Sequence, residues 1–366
     1  MLSDKNKVII ACAGSGKTTY IVEEALKLKK QKVLVTTYTN ENLDQIKAFF
    51  VEKTGCVPAN ITVQSWFSFL LQEGVRPYQN HMTERGRIGS IFFIENAKDS
   101  HKLRNKLRYI AESDDGHYLT KKNYIYDDKV SKFICKCNEQ SKGLVIKRLE
   151  NIYSSIFIDE LQDFAGYDLD LLEVLFNSKI NIAAVGDPRQ ATYSTNKASK
   201  NKQYSRSNIF SWLKEVESKN EIIIEEQNES QRCNQYICDF ADKLFPDLPP
   251  TVSKNKCLTG HDGIFYLQNN EVNDYISTYN NPVILRYSIK TNTLGFPAIN
   301  IGVSKGRTYE RVLIFPTQPM LEYLKTGDPS KAGDRSKLYV AVTRAKYSAA
   351  FVVDDKSLTK SNFSTI

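Results

Sequence analysis

Nowhere in its 366 residues does the sequence approach the ~20 uninterrupted apolar side chains that a membrane-spanning helix needs. Met1 to Lys7 are polar and lack the apolar core of an export signal. The seven cysteines are an odd number and come without such a signal, so a reduced, cytoplasmic protein with free thiols is the expectation. Cys135 and Cys137 stand too close together for a zinc knuckle and have no second pair nearby. No low-complexity tract and no repeat of fixed short period is present, which removes solenoids and disordered linkers. What remains is ordinary: 41% hydrophobic and 25% charged residues, in a chain long enough for two cores of ~100–200 residues each.

Charge is modest in sum, at +8, but uneven in place. Between Arg76 and Glu150 there are 16 Lys/Arg against 10 Asp/Glu. A basic surface is a footprint for polyanions, chiefly nucleic acid, although a solvated helical face explains the same numbers equally well. A second cluster, Lys197, Lys200, Lys202 and Arg206 around Tyr204, lies in Thr195–Asn208 without an acid.

The apolar pattern alternates between strands and helices. Val8–Ala11, Val33–Thr36, Ile156–Ile158 and Ile182–Val185 are short, near-continuous apolar runs, and Leu43–Phe50 has helical spacing. Such runs separated by helices predict parallel strands buried on both faces. A second series follows at Ile222–Ile224, Val283–Leu285, Ile299–Ile301, Val312–Phe315 and Ala349–Val353. The expected architecture is α/β with two parallel-sheet cores. The first is formed by 1–75 plus 151–217 and the second by 218–366. A basic, mainly helical insertion spans 76–150.

Ala13-Gly14-Ser15-Gly16-Lys17-Thr18 follows a strand and opens a helix, the setting of a phosphate-binding loop. Glycines let backbone N–H groups curl around phosphate oxygens, and the helix N-terminus adds positive potential. Lys17 suits the outer phosphates and the Thr18 hydroxyl suits Mg²⁺, with Thr19 completing the ATP-binding segment Ala13–Thr19. Asp159-Glu160 end a strand, where acids face the ligand crevice of a parallel sheet. Asp159 is expected to hold the metal through water, and Glu160 to orient and polarise the attacking water. Alone, the acid pair would read as a helix cap.

With these pieces placed, the sequence resembles the UvrD/Rep group of superfamily-one helicases. Ala11–Thr18 is similar to their first motif, Thr37-Tyr38-Thr39-Asn40 to the next and Thr62-Val63-Gln64-Ser65-Trp66 to the one after. Asp159-Glu160-Leu161-Gln162-Asp163 resembles the DExQD box and Gly186–Tyr193 the third motif. Gln231-Arg232-Cys233, Ser304-Lys305-Gly306 and Leu338–Lys346 follow as the fourth, fifth and sixth. The resemblance implies two RecA-like cores that hydrolyse ATP with Mg²⁺ at the cleft between them. It implies Gln190 as γ-phosphate sensor, and Arg232 and Arg344 as arginine fingers, each worth roughly 10³–10⁵ in rate. It also implies a single-stranded DNA track touched by Thr39, Asn40, Ser65, Trp66, Tyr193 and Ser304. Trp66 and Tyr193 are the candidate base-stacking rings, although Trp66 sits among Phe67, Phe69, Leu70 and Leu71 and reads equally as core.

Departures from the family pattern are specific. No glutamine precedes the first strand to read adenine, and Gln231 replaces the aromatic that stacks on the base. Thr195 stands where a tryptophan is usual, Gly302 where a histidine is, and Thr308 where a glutamate is. The long second-core insertion is reduced to Tyr287–Ala298, and with so little sequence after the sixth motif no fused nuclease is expected. The expectation is a stripped 3′-to-5′ translocase or helicase that works with a protein partner such as a nuclease, in DNA repair or anti-phage defence. An ATP-gated regulatory module is the alternative, and a small-molecule P-loop kinase leaves the second half unexplained.

Overall fold

The computed structural model describes residues 6–94, 110–219 and 221–354; the part of the expected insertion at 95–109 and the last stretch of the second core, 355–366, lie outside the described residues. The chain divides into two compact units, one of residues 1–10 with 17–225 and one of residues 11–16 with 226–366.

The first unit is built on strands β1 (Asn6–Ala11), β2 (Val33–Thr37), β3 (Ile61–Ser65), β4 (Ser155–Ile158), β5 (Asn181–Gly186) and β6 (Ile222–Gln227). Their order in the sheet is β3-β2-β4-β5-β1-β6. The pairings from β3 through to β1 are parallel, with Leu34 opposite Ile156 and Ile9 opposite Val185. Parallel strands need crossovers, and the helices supply them. Helix α1 (Lys17–Lys27) buries Ile21, Val22 and Ala25, and α2 (Asn40–Thr54) buries Ile46 and Phe50. Thr39 caps α2, its hydroxyl accepting from the Asn42 amide, and Gly55 ends it at φ 78°. The buried Asn6 side chain ties the sheet's margin: its Nδ2 donates to the Phe176 and Glu221 carbonyls, and its Oδ1 accepts from the Ile182 amide.

Between β3 and β4 the described residues hold α3 (Val130–Gln140) and α4 (Leu144–Ile152), with short 3₁₀ turns and a two-residue strand pair. Trp66 lies in the core that these helices share with the sheet, fully buried, its ring 4.8 Å from Phe164 and 5.5 Å from Phe69.

The second unit carries a five-stranded, wholly parallel sheet: β7 (Gly263–Leu267), β8 (Val283–Arg286), β9 (Ile299–Asn300), β10 (Tyr309–Phe315) and β11 (Ala345–Val352). The order is β7-β11-β10-β8-β9. Helices α5 (Gln235–Asp242), α6 (Gln318–Thr326) and α7 (Arg335–Thr343) belong to this unit. On one side, Leu338, Tyr339, Val340 and Val342 of α7 pack with Ile237 and Phe240 of α5 against Ile314 and Phe351.

Across the other face, the His261 ring is sandwiched between Phe265 at 3.7 Å and Tyr279 at 3.8 Å, with Nε2 3.1 Å from the Tyr275 hydroxyl. Burial and the nearby Arg311 guanidinium hold this imidazole down at about 4 from an ordinary 6.5, against the opposing pull of Asp262. The folded state therefore disfavours the charged ring, and the stability this unit owes to the neutral form is present above pH 6.5 and lost on descending towards 4. The melting temperature should fall across that window in the wild type and fall less in His261→Phe, which keeps the stack without the titrating nitrogen. Parallel pH profiles by circular dichroism would refute this.

Candidate functional site

Strands β4, β5 and β1 are neighbours in the first sheet, and the motifs sit at or just beyond the carboxyl end of each. That end of a parallel sheet is where backbone groups and helix N-termini converge on a ligand. At β1, Gly14 and Gly16 have φ of 76° and 86°, the left-handed region that glycine enters freely. An added Cβ at Gly16 would meet nothing within 4 Å, so the bend faces open space. Lys17 and Thr18 then start α1.

Beyond β4 the Asp159 and Glu160 side chains are buried. Asp159 Oδ2 accepts from the Thr18 hydroxyl at 3.0 Å, and Oδ1 from the Glu160 amide at 2.8 Å. Burial, and then the neighbouring Glu160 carboxylate, push the Asp159 acid well above the usual carboxylate range, while Thr18 and Lys17 pull it back. Two buried acids side by side call for a cation. Thr18 Oγ1 and Asp159 Oδ2 are hard oxygen donors, and their 3.0 Å separation is about that of adjacent oxygens around Mg²⁺ with ~2.1 Å bonds. The residues present therefore fit a magnesium ion. Among the described residues no three His, Cys, Asp or Glu group into a metal cluster, so the rest of such a shell would come from water and phosphate.

Glu160 has φ 59° and ψ 42°, a left-handed backbone that costs a non-glycine residue of order 1 kcal/mol or more. Its carboxylate is held on both oxygens. Asn42 Nδ2 donates to Oε1 at 3.1 Å, and Gln162 Nε2 donates to Oε2. Gln162 Oε1 in turn accepts from the Asp187 amide at 2.9 Å, and Asp187 Oδ2 accepts from Gln190 Nε2 at 2.8 Å. One line of hydrogen bonds thus joins Glu160, at the end of β4, to Gln190, beyond β5. Gly186 makes room for it, since a Cβ there would stand 2.9 Å from Gln162 Oε1 and 3.1 Å from its amide. Asn42, Gln162 and Asp187 were not singled out by sequence reasoning. Gln162 was in view inside the acid motif, whereas Asn42 arrives from the middle of the first turns of α2 with no local signal.

In the second unit, Arg232 Nη1 donates to the Thr343 carbonyl at 3.2 Å. Arg344 is buried, its Nε donating to the Val340 carbonyl at 3.3 Å and Nη1 to the Arg307 carbonyl at 3.2 Å. Arg232 is thus held by the last residue of α7, and the Arg344 guanidinium by Val340 of the same helix and by Arg307. Ala13, Gly14 and Ser15 group with this unit rather than with Lys17 and Thr19.

Of the residues expected along a nucleic-acid strand, Thr39, Asn40 and Ser65 line one groove of about 450 Å³ on the first unit, together with Tyr38, Phe67 and Phe93. Ser65 also caps the helical turn Trp66–Phe69. Tyr193 is half-buried, its ring 6.3 Å from Tyr38. Two expectations are corrected. Trp66 is fully buried among Phe69 and Phe164 and has no face to offer a base; the neighbouring Phe67 and the exposed Phe93, their rings 5.1 Å apart, line the groove instead. Ser304 is also fully buried, its hydroxyl donating inward to the Ile301 carbonyl at 2.7 Å.

Comparison with known proteins adds the following. The helicase of PRRSV is similar at 14% identity and TM-score 0.45, over 99% of this chain and 55% of that one. Arterivirus nonstructural protein 10, a helicase, in complex with DNA, is similar at 14% identity and TM-score 0.47, over 96% of this chain and 62% of that one. The chain therefore spans somewhat over half the length of these solved structures. No curated protein matches significantly. Residues 58–210 match the sequence model of the UvrD/REP helicase N-terminal domain, a segment that holds Asp159, Glu160, Gln162 and Gln190. Over that segment the chain is similar to the UvrD/REP helicase N-terminal domain.

Proposed function

We propose that the chain is an ATP-driven motor on single-stranded DNA, a translocase or helicase that hydrolyses Mg·ATP. The observation that carries this reading is the line from Glu160 through Gln162 and Asp187 to Gln190. It holds a carboxylate at fixed orientation beside the Thr18–Asp159 pair, as a group that must aim a water at a phosphoryl group requires. A magnesium ion held by Thr18 and Asp159 would supply charge neutralisation at the outer phosphates. Ala13 to Thr19 would wrap the phosphates, with Lys17 as their point charge. Gln190 would sense the last phosphate, and Arg232 and Arg344 would stabilise its transfer. On this reading the first core is 1–75 with 151–217, the insertion 76–150 and the second core 218–366, with one correction: Ile222–Gln227, expected to open the second core, pairs as β6 at the edge of the first sheet.

The strand would follow the groove at Thr39, Asn40 and Ser65, with Tyr193, Phe67 and Phe93 as stacking surfaces and Lys197, Lys200, Lys202 and Arg206 near the phosphates. Travel from 3′ to 5′, work in repair or anti-phage defence in the cytoplasm, and a partner such as a nuclease complete the proposal. Among the described residues no helix is long and apolar enough to cross a membrane.

Phosphate release should rise strongly on adding single-stranded DNA and fall by at least ~10³ in Lys17→Ala and Glu160→Gln, as loss of phosphate positioning or water orientation dictates. Hydrolysis indifferent to DNA would instead favour an ATP-gated regulatory module. Tyr193→Ala and Phe93→Ala should each weaken binding of a labelled oligothymidine about tenfold, since stacking supplies ~1–3 kcal/mol per base. Fluorescence anisotropy reads this directly, and equal affinities would take both rings off the strand's path.

A further inference from the structure

The phosphate loop is held from behind by two hydroxyls, Ser230 outside every motif and Tyr339 inside the sixth, neither of which the resemblance gives a role. Ser230 Oγ donates to the Ala13 carbonyl at 2.7 Å, and the Ala13 amide donates to the Tyr339 hydroxyl at 3.2 Å. Both side chains are buried. Main chain adds two more bonds: the Cys12 amide to the Gln227 carbonyl at 3.0 Å, and the Gln231 amide to the Gly14 carbonyl at 2.8 Å. The approach is so close that a Cβ on Gly14 would fall 2.5 Å from Arg232 Cβ and 2.8 Å from Ser230 Oγ. These contacts are why residues 11–16 group with 226–366.

We infer that Ser230 and Tyr339 are positioning residues for nucleotide binding, acting through the backbone of the loop; the inference rests on the nucleotide reading above. A trans peptide is planar, with its C=O and the following N–H pointing in opposite directions. Turning the Ala13 carbonyl onto Ser230 therefore turns the Gly14 N–H the other way. Fixing the Gly14 carbonyl on Gln231 does the same for the Ser15 N–H, whose own contact to the Cys12 carbonyl is long at 3.4 Å. A pair of amides set in advance is the anion-binding concavity that phosphate requires. Without Ser230, the Ala13 and Gly14 peptides regain rotational freedom, and ordering them falls to the nucleotide.

The same two hydroxyls lie on segments that lead to the arginines. Ser230 precedes Arg232, and Tyr339 lies on α7, which ends at Arg344. Tyr339 is itself fixed by an edge contact to Phe245 at 5.8 Å, and its carbonyl accepts from the Thr343 hydroxyl at 2.7 Å. Loop and arginines therefore share one support, and order imposed on the loop by phosphate is felt where the guanidiniums are anchored.

The test compares Ser230→Ala, Tyr339→Phe and Ser230→Thr with the wild type. Amide hydrogen exchange at 11–18 in the nucleotide-free protein should speed up in the first two. The ADP dissociation constant by calorimetry should rise about fivefold in each, the equivalent of one lost neutral hydrogen bond. KM for ATP should rise in parallel while kcat at saturating ATP stays within twofold, and Ser230→Thr should restore both constants. A merely structural role would lower the melting temperature and leave ADP affinity untouched, which would overturn the inference. Unchanged exchange at 11–18 would overturn it equally. A wild type that binds no ADP would defeat the nucleotide reading itself, an outcome visible before any variant is made.

Discussion

Burying Asp159 and Glu160 together, two carboxylates on consecutive residues, is the constraint around which the first unit is arranged. Ionised acids in that setting cost several kcal/mol each unless donors or cations meet them. The structure meets Asp159 with the Thr18 hydroxyl and meets Glu160 with two side-chain amides, Asn42 and Gln162. Neutral donors offset the burial, and then the Glu160 repulsion, only in part, so the Asp159 acid stays raised. A site completed by a divalent cation can hold such a pair in readiness, because the repulsion is relieved when the metal and its phosphates arrive. The left-handed backbone of Glu160 belongs to the same arrangement: it turns the chain out of β4 so that consecutive acids point to different partners.

The sheet architecture was legible because its signal is local. Val33–Thr36, Ile156–Ile158 and Ile182–Val185 are apolar on both alternating faces, and only a strand covered on both sides uses that pattern. Gly263–Leu267 carries the same signal in Ile264-Phe265-Tyr266-Leu267 and was overlooked; its wholly buried run was available to be read. Side chains whose position depends on distant contacts were not legible. Trp66 follows a serine that caps a short helical turn, and whether its ring faced solvent depended on Phe164, almost a hundred residues away. Ser304 likewise satisfies its own turn, as small hydroxyl residues do when a carbonyl lies within reach.

The partners of the catalytic candidates fell between these cases. Gln162 could be read because it lies in the acid motif. Asn42 and Ser230 could not, since each acts on a residue more than a hundred positions away through one hydrogen bond that leaves no periodic trace; Tyr339 lies in the sixth motif, but its bond to Ala13 is equally distant in sequence. Glycine gave a partial clue. Gly14 and Gly186 both stand where a Cβ would collide with a neighbour that the site uses, Arg232 and Gln162 respectively, and neither approach is visible until the fold is known.

The replacement of an aromatic by Gln231 takes on a narrower meaning in this setting. What Gln231 gives the phosphate loop is its main-chain N–H, bonded to the Gly14 carbonyl, and any residue but proline can give that. On the proposed nucleotide reading, the change would remove a surface for a nucleobase while sparing the bond that holds the loop. Grip on the phosphates would then rest on the main chain of residue 231 and recognition of the base on its side chain, so the second could drift while the first is kept. A motor built this way would lose discrimination among nucleotides before it lost the ability to hold their phosphates.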